Sequence, residues 1–243
     1  MENFVRRVGL IFIDVFINLK INREGHNYLP NQKPIKAFMG SVHSSNEFNF
    51  EKFDVKSLKH TSESPGVIFN VGGPPKSISW CPSYKNSPPL HKSYIAISTT
   101  KNQSHNISVG VHDKSRSHSS IQIWGYVPPY EDNDSIISLM ATLCFDNGVC
   151  LDCKWAPTDY AFYEYGDNSR ITVGALACAF NDGSLQISLF PDFELLRKFY
   201  GVENGKNLFI NLIKTLELQT PNSKPLTIEW SSSNRLAVGF SNG

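Results

Sequence analysis

Residues 73–82 read GPPKSISWCP, and the pattern returns twice. Residues 148–157 read GVCLDCKWAP, and residues 223–232 read SKPLTIEWSS. Trp80, Trp155 and Trp230 are therefore spaced by 75 residues each time. Two positions before each tryptophan stands an apolar residue, Ile78, Cys153 or Ile228. Between them stands a polar or charged one, Ser79, Lys154 or Glu229. A period of two marks a strand with one buried face. The repeat makes Trp80, Trp155 and Trp230 structural residues, not a ligand cage, because a fixed place in a repeat is a packing place.

A second strand follows each of the first. Residues 94–99 read YIAIST, 176–183 read LACAFNDG and 236–243 read LAVGFSNG. The last two align without a gap and end in Asx-Gly turn signals. Repeated strand pairs with long, variable spacers predict an all-β, WD-like β-propeller. About three blades are recognisable, over residues 61–243. Residues 121–124, IQIW, close the first blade. Residues 136–143 are expected to open the second and residues 208–218 the third, with Leu212, Leu216 and Leu218 as inner positions. The sequence reaches Asn242-Gly243 at the place aligned with a turn, so the propeller is expected to be partial, with an open strand edge prone to self-association. Residues 1–60 read as an irregular extension broken by Pro30 and Pro34, in which Phe48, Phe50, Phe53, Val55 and Leu58 supply one outer strand.

The chain has 243 residues, 40% of them hydrophobic, and a net charge of +1, which suits a globular protein with a sizeable core. The charge is uneven: residues 61–128 carry +4 and residues 129–243 carry −6. That is compatible with nucleic acid on one side and protein on the other, or with ordinary loop variation. Apolar runs are too short for a membrane span. Arg6 and Arg7 before an apolar stretch imitate a signal peptide, but Asp14 interrupts it and secretion is not expected. Five cysteines without disulfide spacing favour a reducing compartment.

Cys150-x-x-Cys153 with Cys144 is the metal-like spacing, yet zinc takes four thiolate or imidazole ligands and the partners are missing. Cys153 and Cys178 align with Ile78/Ile228 and Ile97/Val238, so both read as small core residues. No cofactor is expected, and no catalytic motif stands out. Residues 100–120 form a polar insertion in which Lys101, Lys114 and Arg116 are candidate phosphate contacts, weighed against a solvated loop. Tyr160, Phe162, Tyr163 and Tyr165 lie among acids on a second loop and are candidate partner contacts, weighed against folding over the protein's own edge.

The string GVIFNVGGPPKSISWCP, residues 66–82, followed by YIAIS and IQIW, resembles the WD-repeat propeller subunit in the B-box-binding half of general transcription factor IIIC. YLP (residues 28–30) and FEKFDVKSL (residues 50–58) fit the segment leading into that propeller. Trp124 is followed by Gly125 where ordinary WD repeats have Asp. The resemblance implies a non-enzymatic nuclear scaffold that helps assemble the factor on RNA polymerase III promoters of transfer RNA genes. Its implied partners are other subunits of the factor, above all a second propeller subunit, and auxiliary promoter DNA, without membrane or small-molecule substrate. Other readings are a generic WD adaptor in ubiquitin ligation or trafficking, and a lipid- or peptide-binding module.

Overall fold

In the computed structural model the described residues are 20–21, 24–31, 33–41, 44–58, 66–82, 92–101, 118–129, 135–157, 172–203, 206–211, 216–220, 223–232 and 234–242. They are mostly β-strand, with one α-helix. The strands are β1 (Lys20–Ile21), β2 (Ile35–Ser41), β3 (Ser44–Phe50), β4 (Val55–Ser57), β5 (Val67–Phe69), β6 (Pro75–Trp80), β7 (Ser93–Thr99), β8 (Ser119–Val127), β9 (Ile136–Phe145), β10 (Cys150–Trp155), β11 (Thr172–Phe180), β12 (Ser184–Pro191), β13 (Phe209–Asn211), β14 (Leu216–Gln219), β15 (Pro225–Ser232) and β16 (Arg235–Phe240). Helix α1 spans Phe193–Tyr200.

Three hairpins repeat one another residue for residue. β6–β7 places Trp80 opposite Ile95 and Ile78 opposite Ile97. β10–β11 places Trp155 opposite Leu176 and Cys153 opposite Cys178. β15–β16 places Trp230 opposite Leu236 and Ile228 opposite Val238. Each carries a register shift at the same point, just before Ser77, Asp152 or Thr227. A bulge there bends the strand and raises its twist. Cys153 and Cys178 thus occupy the core places that the alignment assigns them.

Around these hairpins three sheets form. Sheet one runs β6-β7-β8-β9 and is extended at its outer edge by β13, parallel to β9, and by β1. Sheet two runs β10-β11-β12-β14, and sheet three is β15-β16. The main core lies between sheets one and two, where Ala96, Ile121, Ile123 and Leu143 meet Cys153, Trp155, Leu176 and Cys178. A second core lies between sheets two and three, where Ala177, Ala179, Leu185 and Ile187 meet Ile228, Trp230, Leu236 and Val238. In each contact the tryptophan face of one sheet lies on the alanine face of the sheet before it.

Some expectations need correction. Residues 136–143 belong to β9, the fourth strand of sheet one, rather than the start of the second unit. Leu216 and Leu218 are about half exposed on β14, the outer strand of sheet two, and are not inner positions. The aromatic run before residue 60 makes two strands: β3 pairs with β2, and β4 pairs with β5 across residue 60. Helix α1 was not foreseen. Asp192 caps it by accepting from the Glu194 and Leu195 amides, and Gly201 ends it in the left-handed region. Phe193 and Leu196, one turn apart, turn into the main core.

The β4–β5 pair covers the far face of sheet one. Phe53, Val67, Phe69 and Val71 pack on Ile95, Ile97, Trp124 and Ile137. Between β5 and β6, residues 70–73 form a tight corner. The Asn70 side chain accepts from the Gly72 amide and donates to the Glu51 carbonyl. Gly72 has φ +77°, and a Cβ on Gly73 would lie 2.6 Å from Pro30 Cβ.

Candidate partner interface

The inner strands β6, β10 and β15 lie side by side, joined through one column of side-chain oxygens. Ser77, Asp152 and Thr227 occupy the same repeat position, 75 residues apart. Ser77 Oγ donates to Asp152 Oδ1 at 2.7 Å and accepts from the Cys153 amide at 3.1 Å. Asp152 Oδ2 accepts from Thr227 Oγ1 at 3.1 Å and from the Ile228 amide at 3.0 Å. The buried Asp152 side chain therefore ties all three sheets together. One step along, Ser79 Oγ accepts from the Trp155 amide at 3.0 Å, and Trp230 Nε1 donates to the Lys154 carbonyl at 3.0 Å. Strand alternation turns the oxygen-bearing residue toward one neighbouring sheet while Ile78, Cys153 or Ile228 faces the other way.

The three tryptophans differ in what covers them. Trp155 is buried, with Phe190 at 5.3 Å between ring centroids. Trp230 is partly buried against Ala177 and Ala179. Trp80 is 54% exposed and Ile78 55% exposed. The β4–β5 pair reaches over β7, β8 and β9 but leaves these two residues of β6 open, with Tyr126 against one edge of the indole. This apolar opening on an innermost strand is the most distinctive surface among the described residues. Sequence reasoning marked Trp80 as a packing residue and missed that its face is open.

The three thiols near the Asp152 column are held protonated. Burial pushes the Cys150 thiol well up. Its hydrogen bond with Cys150, then burial, raises Cys153 well above its ordinary value, and burial raises Cys178. Thiolate is the form that binds metal and attacks carbon or sulfur, so the cluster suits packing. Among the described residues no group of three or more His, Cys, Asp or Glu is placed to hold a metal ion. Among them, too, no helix is long and apolar enough to cross a membrane.

Of the candidate DNA contacts, Lys101 lies just after β7, partly buried, and its carbonyl accepts from the Asn31 amide. Lys114 and Arg116 lie outside the described residues, as do Tyr160, Phe162, Tyr163 and Tyr165. The structure therefore places one of these seven side chains. Asp152 and Arg197 are the residues sequence reasoning overlooked. The 75-residue period held the signal for the first, since it stacks Ser, Asp and Thr in one column. Arg197 is buried, donating to the carbonyls of Glu203, Lys206 and Met140, and so fixes α1 to sheet one. No family model matches the chain, and no curated protein matches it in sequence.

Proposed function

We propose that this chain is a non-enzymatic scaffold subunit of transcription factor IIIC, built on a WD-like β-propeller. In this reading sheets one to three are blades. It acts in the nucleus, helping to assemble the factor on RNA polymerase III promoters by binding a second propeller subunit, with auxiliary contacts to promoter DNA. The single observation that carries the reading is the resemblance of residues 66–82. Two features support the propeller part. Three equivalent hairpins stack tryptophan face on alanine face, and their innermost strands run side by side through the Ser77–Asp152–Thr227 column. The segment of resemblance forms the corner into the first of those strands, where Asn70 and the two glycines each have a steric or hydrogen-bonding task.

The scaffold acts by surface and not by chemistry. Lys101, Lys114 and Arg116 supply sequence-independent phosphate contacts. Tyr160, Phe162, Tyr163 and Tyr165 supply the aromatic contact area that protein interfaces favour. The test is tagged expression in a eukaryotic cell, affinity purification and mass spectrometry of the partners. The expected result is enrichment of polymerase III initiation components. Recovery of ubiquitin-ligase or coat components without them would reject the assignment and favour a generic WD adaptor.

A further inference from the structure

One end of sheet one is crossed by a single short segment. At this end β9 finishes, β8 begins, β7 finishes and β6 begins: Phe145 pairs with Ser119, Ser120 with Thr99, and Thr99 with Pro75. Residues 25–31 run across these strand ends in the order of the strands. Gly25 and His26 lie against the Phe209 ring on β13, with His26 edge-on at 6.1 Å between centroids. Tyr28 OH donates to Asp146 Oδ1, just past β9, at 2.8 Å. The same oxygen lies 2.8 Å from His118 Nδ1, just before β8, and the Tyr28 and His118 rings are 4.4 Å apart. The Asn31 amide donates to the Lys101 carbonyl, past β7, at 3.1 Å. Pro30 packs on Gly73 at the corner into β6, and its carbonyl accepts from Lys52 Nζ at 3.4 Å.

The segment is held by side chains and single bonds, not by a ladder. Gly25–Tyr28 make one turn of 3-10 helix, and none of residues 25–31 belongs to a strand. Tyr28, Leu29 and Pro30 are buried, which draws the segment onto the sheet. Its latch is reachable by water, because the Asp146 and His118 side chains are 63% and 44% exposed. A segment with few buried apolar groups and exposed hydrogen bonds opens well below the free energy of global unfolding. The Leu29 amide bonds back to the His26 carbonyl at 3.3 Å, which joins the turn at Phe209 to the latch at Tyr28. Pro30 has a fixed φ and so stiffens the step from Tyr28 to Asn31.

We propose that residues 25–31 are a strap that opens and closes over this end of sheet one as one unit, anchored on Phe209 and latched on Asp146 by Tyr28. Closed, the strap ties the outer edge of the sheet, at β13, to Lys101 and His118, the described residues on either side of residues 102–117. Open, it releases Asp146, His118 and the Lys101 carbonyl together. A change at the outer edge is thereby felt at Lys101, four strands away in the sheet. The device does not rest on the transcription reading, since the strap acts on Lys101 whatever that side chain meets.

The experiment is amide hydrogen exchange of the purified full chain, read residue by residue by NMR, with no partner present. In the wild type the Leu29 and Asn31 amides are expected to exchange at one common rate, faster than the amides of β10 to β12. Tyr28→Phe removes only the latch hydroxyl and should quicken both amides about fivefold, with β10 to β12 unchanged. Phe209→Ala removes the anchor at the far edge and should quicken the Asn31 amide about as much. The exposed His26→Ala, which loosens the same anchor by about twofold, decides the point should Phe209→Ala fail to fold. Three results would overturn the proposal. One is a strap that exchanges only in step with β10 to β12. Another is a Tyr28→Phe chain whose Leu29 and Asn31 amides keep their wild-type rates. The third is anchor variants that quicken residues beside Phe209 and leave Asn31 untouched.

Discussion

Asp152→Ala is the substitution that tests the architecture most directly. The Asp152 side chain is buried and accepts three hydrogen bonds, from Ser77 Oγ, Thr227 Oγ1 and the Ile228 amide, so it touches all three inner strands. Alanine leaves the Ile228 amide without its acceptor, at a cost of about 1–3 kcal/mol, and removes two side-chain hydrogen bonds worth about 0.5–1.5 kcal/mol each. The expected loss is about 3 kcal/mol, within a range of about 2 to 6. For a chain of this size 3 kcal/mol lowers the melting temperature by about 6–12 °C. Asp152→Asn keeps the shape and one acceptor oxygen for the Ile228 amide. Its new amide group donates to Ser77 Oγ, so its cost should stay near 1 kcal/mol. Urea unfolding followed by tryptophan fluorescence gives both values. A double-mutant cycle of Asp152→Ala with Thr227→Val should show coupling, since removing both partners costs less than the two separate losses. If Asp152→Ala loses less than about 1 kcal/mol, or Asp152→Asn is as damaging as alanine, the column does not hold the sheets together.

The aligned tryptophans make an internal series: Trp155→Ala should cost about 3–5 kcal/mol, Trp230→Ala about 2–3, and the half-exposed Trp80→Ala about 1 or less in the monomer. Equal losses in urea titrations of the three would contradict the packing described. Protonated thiols are favoured by the fold, so stability should be full below the ordinary thiol pKa of about 8.5 and should fall as pH rises above it, where the unfolded chain releases protons first. Urea midpoints from pH 7.5 to 10 read this directly, and Cys178→Val, the residue sheet three has at that place, should flatten the slope. For the basic loop, alanine at Lys101, Lys114 and Arg116 together should weaken promoter and random DNA alike and reduce the salt dependence of binding. Loss confined to one promoter sequence would mean base readout instead.

How much of this was legible depends on what each residue has to satisfy. Alternation around Trp80, Trp155 and Trp230 gave three hairpins and their register, because a strand with one buried face must repeat every two residues. The order of strands within sheets was less readable. An outer strand such as β9 or β14 precedes an inner strand in the chain, and alternation cannot tell which neighbour it pairs with. Leu216 and Leu218 look like core residues for that reason, yet stand on an outer edge. Helix α1 is short, and its Leu196 and Arg197 are placed by tertiary contacts that local pattern does not contain. Asp152 reads as a solvent-facing charge in a half-buried strand; only the neighbouring strands, 75 residues away on either side, make it interior. The openness of Trp80 is likewise a property of what fails to lie above it. Of the seven candidate contact residues on the two loops, Lys101 is described and the other six lie outside the described residues.

The route of the chain between β12 and β14 sets how the protein folds. Stacked sheets could form in turn, each on the last, with nearest-neighbour cooperativity only. Here the chain leaves sheet two after β12, forms α1 in the main core and runs along sheet one as β13, beside β9. Only then does it return to sheet two as β14, beside β12. The chain thus reaches the last strand of sheet two only by way of a segment docked on sheet one. The two sheets are laced by one thread and should unfold in a single transition, with sheet three free to open earlier.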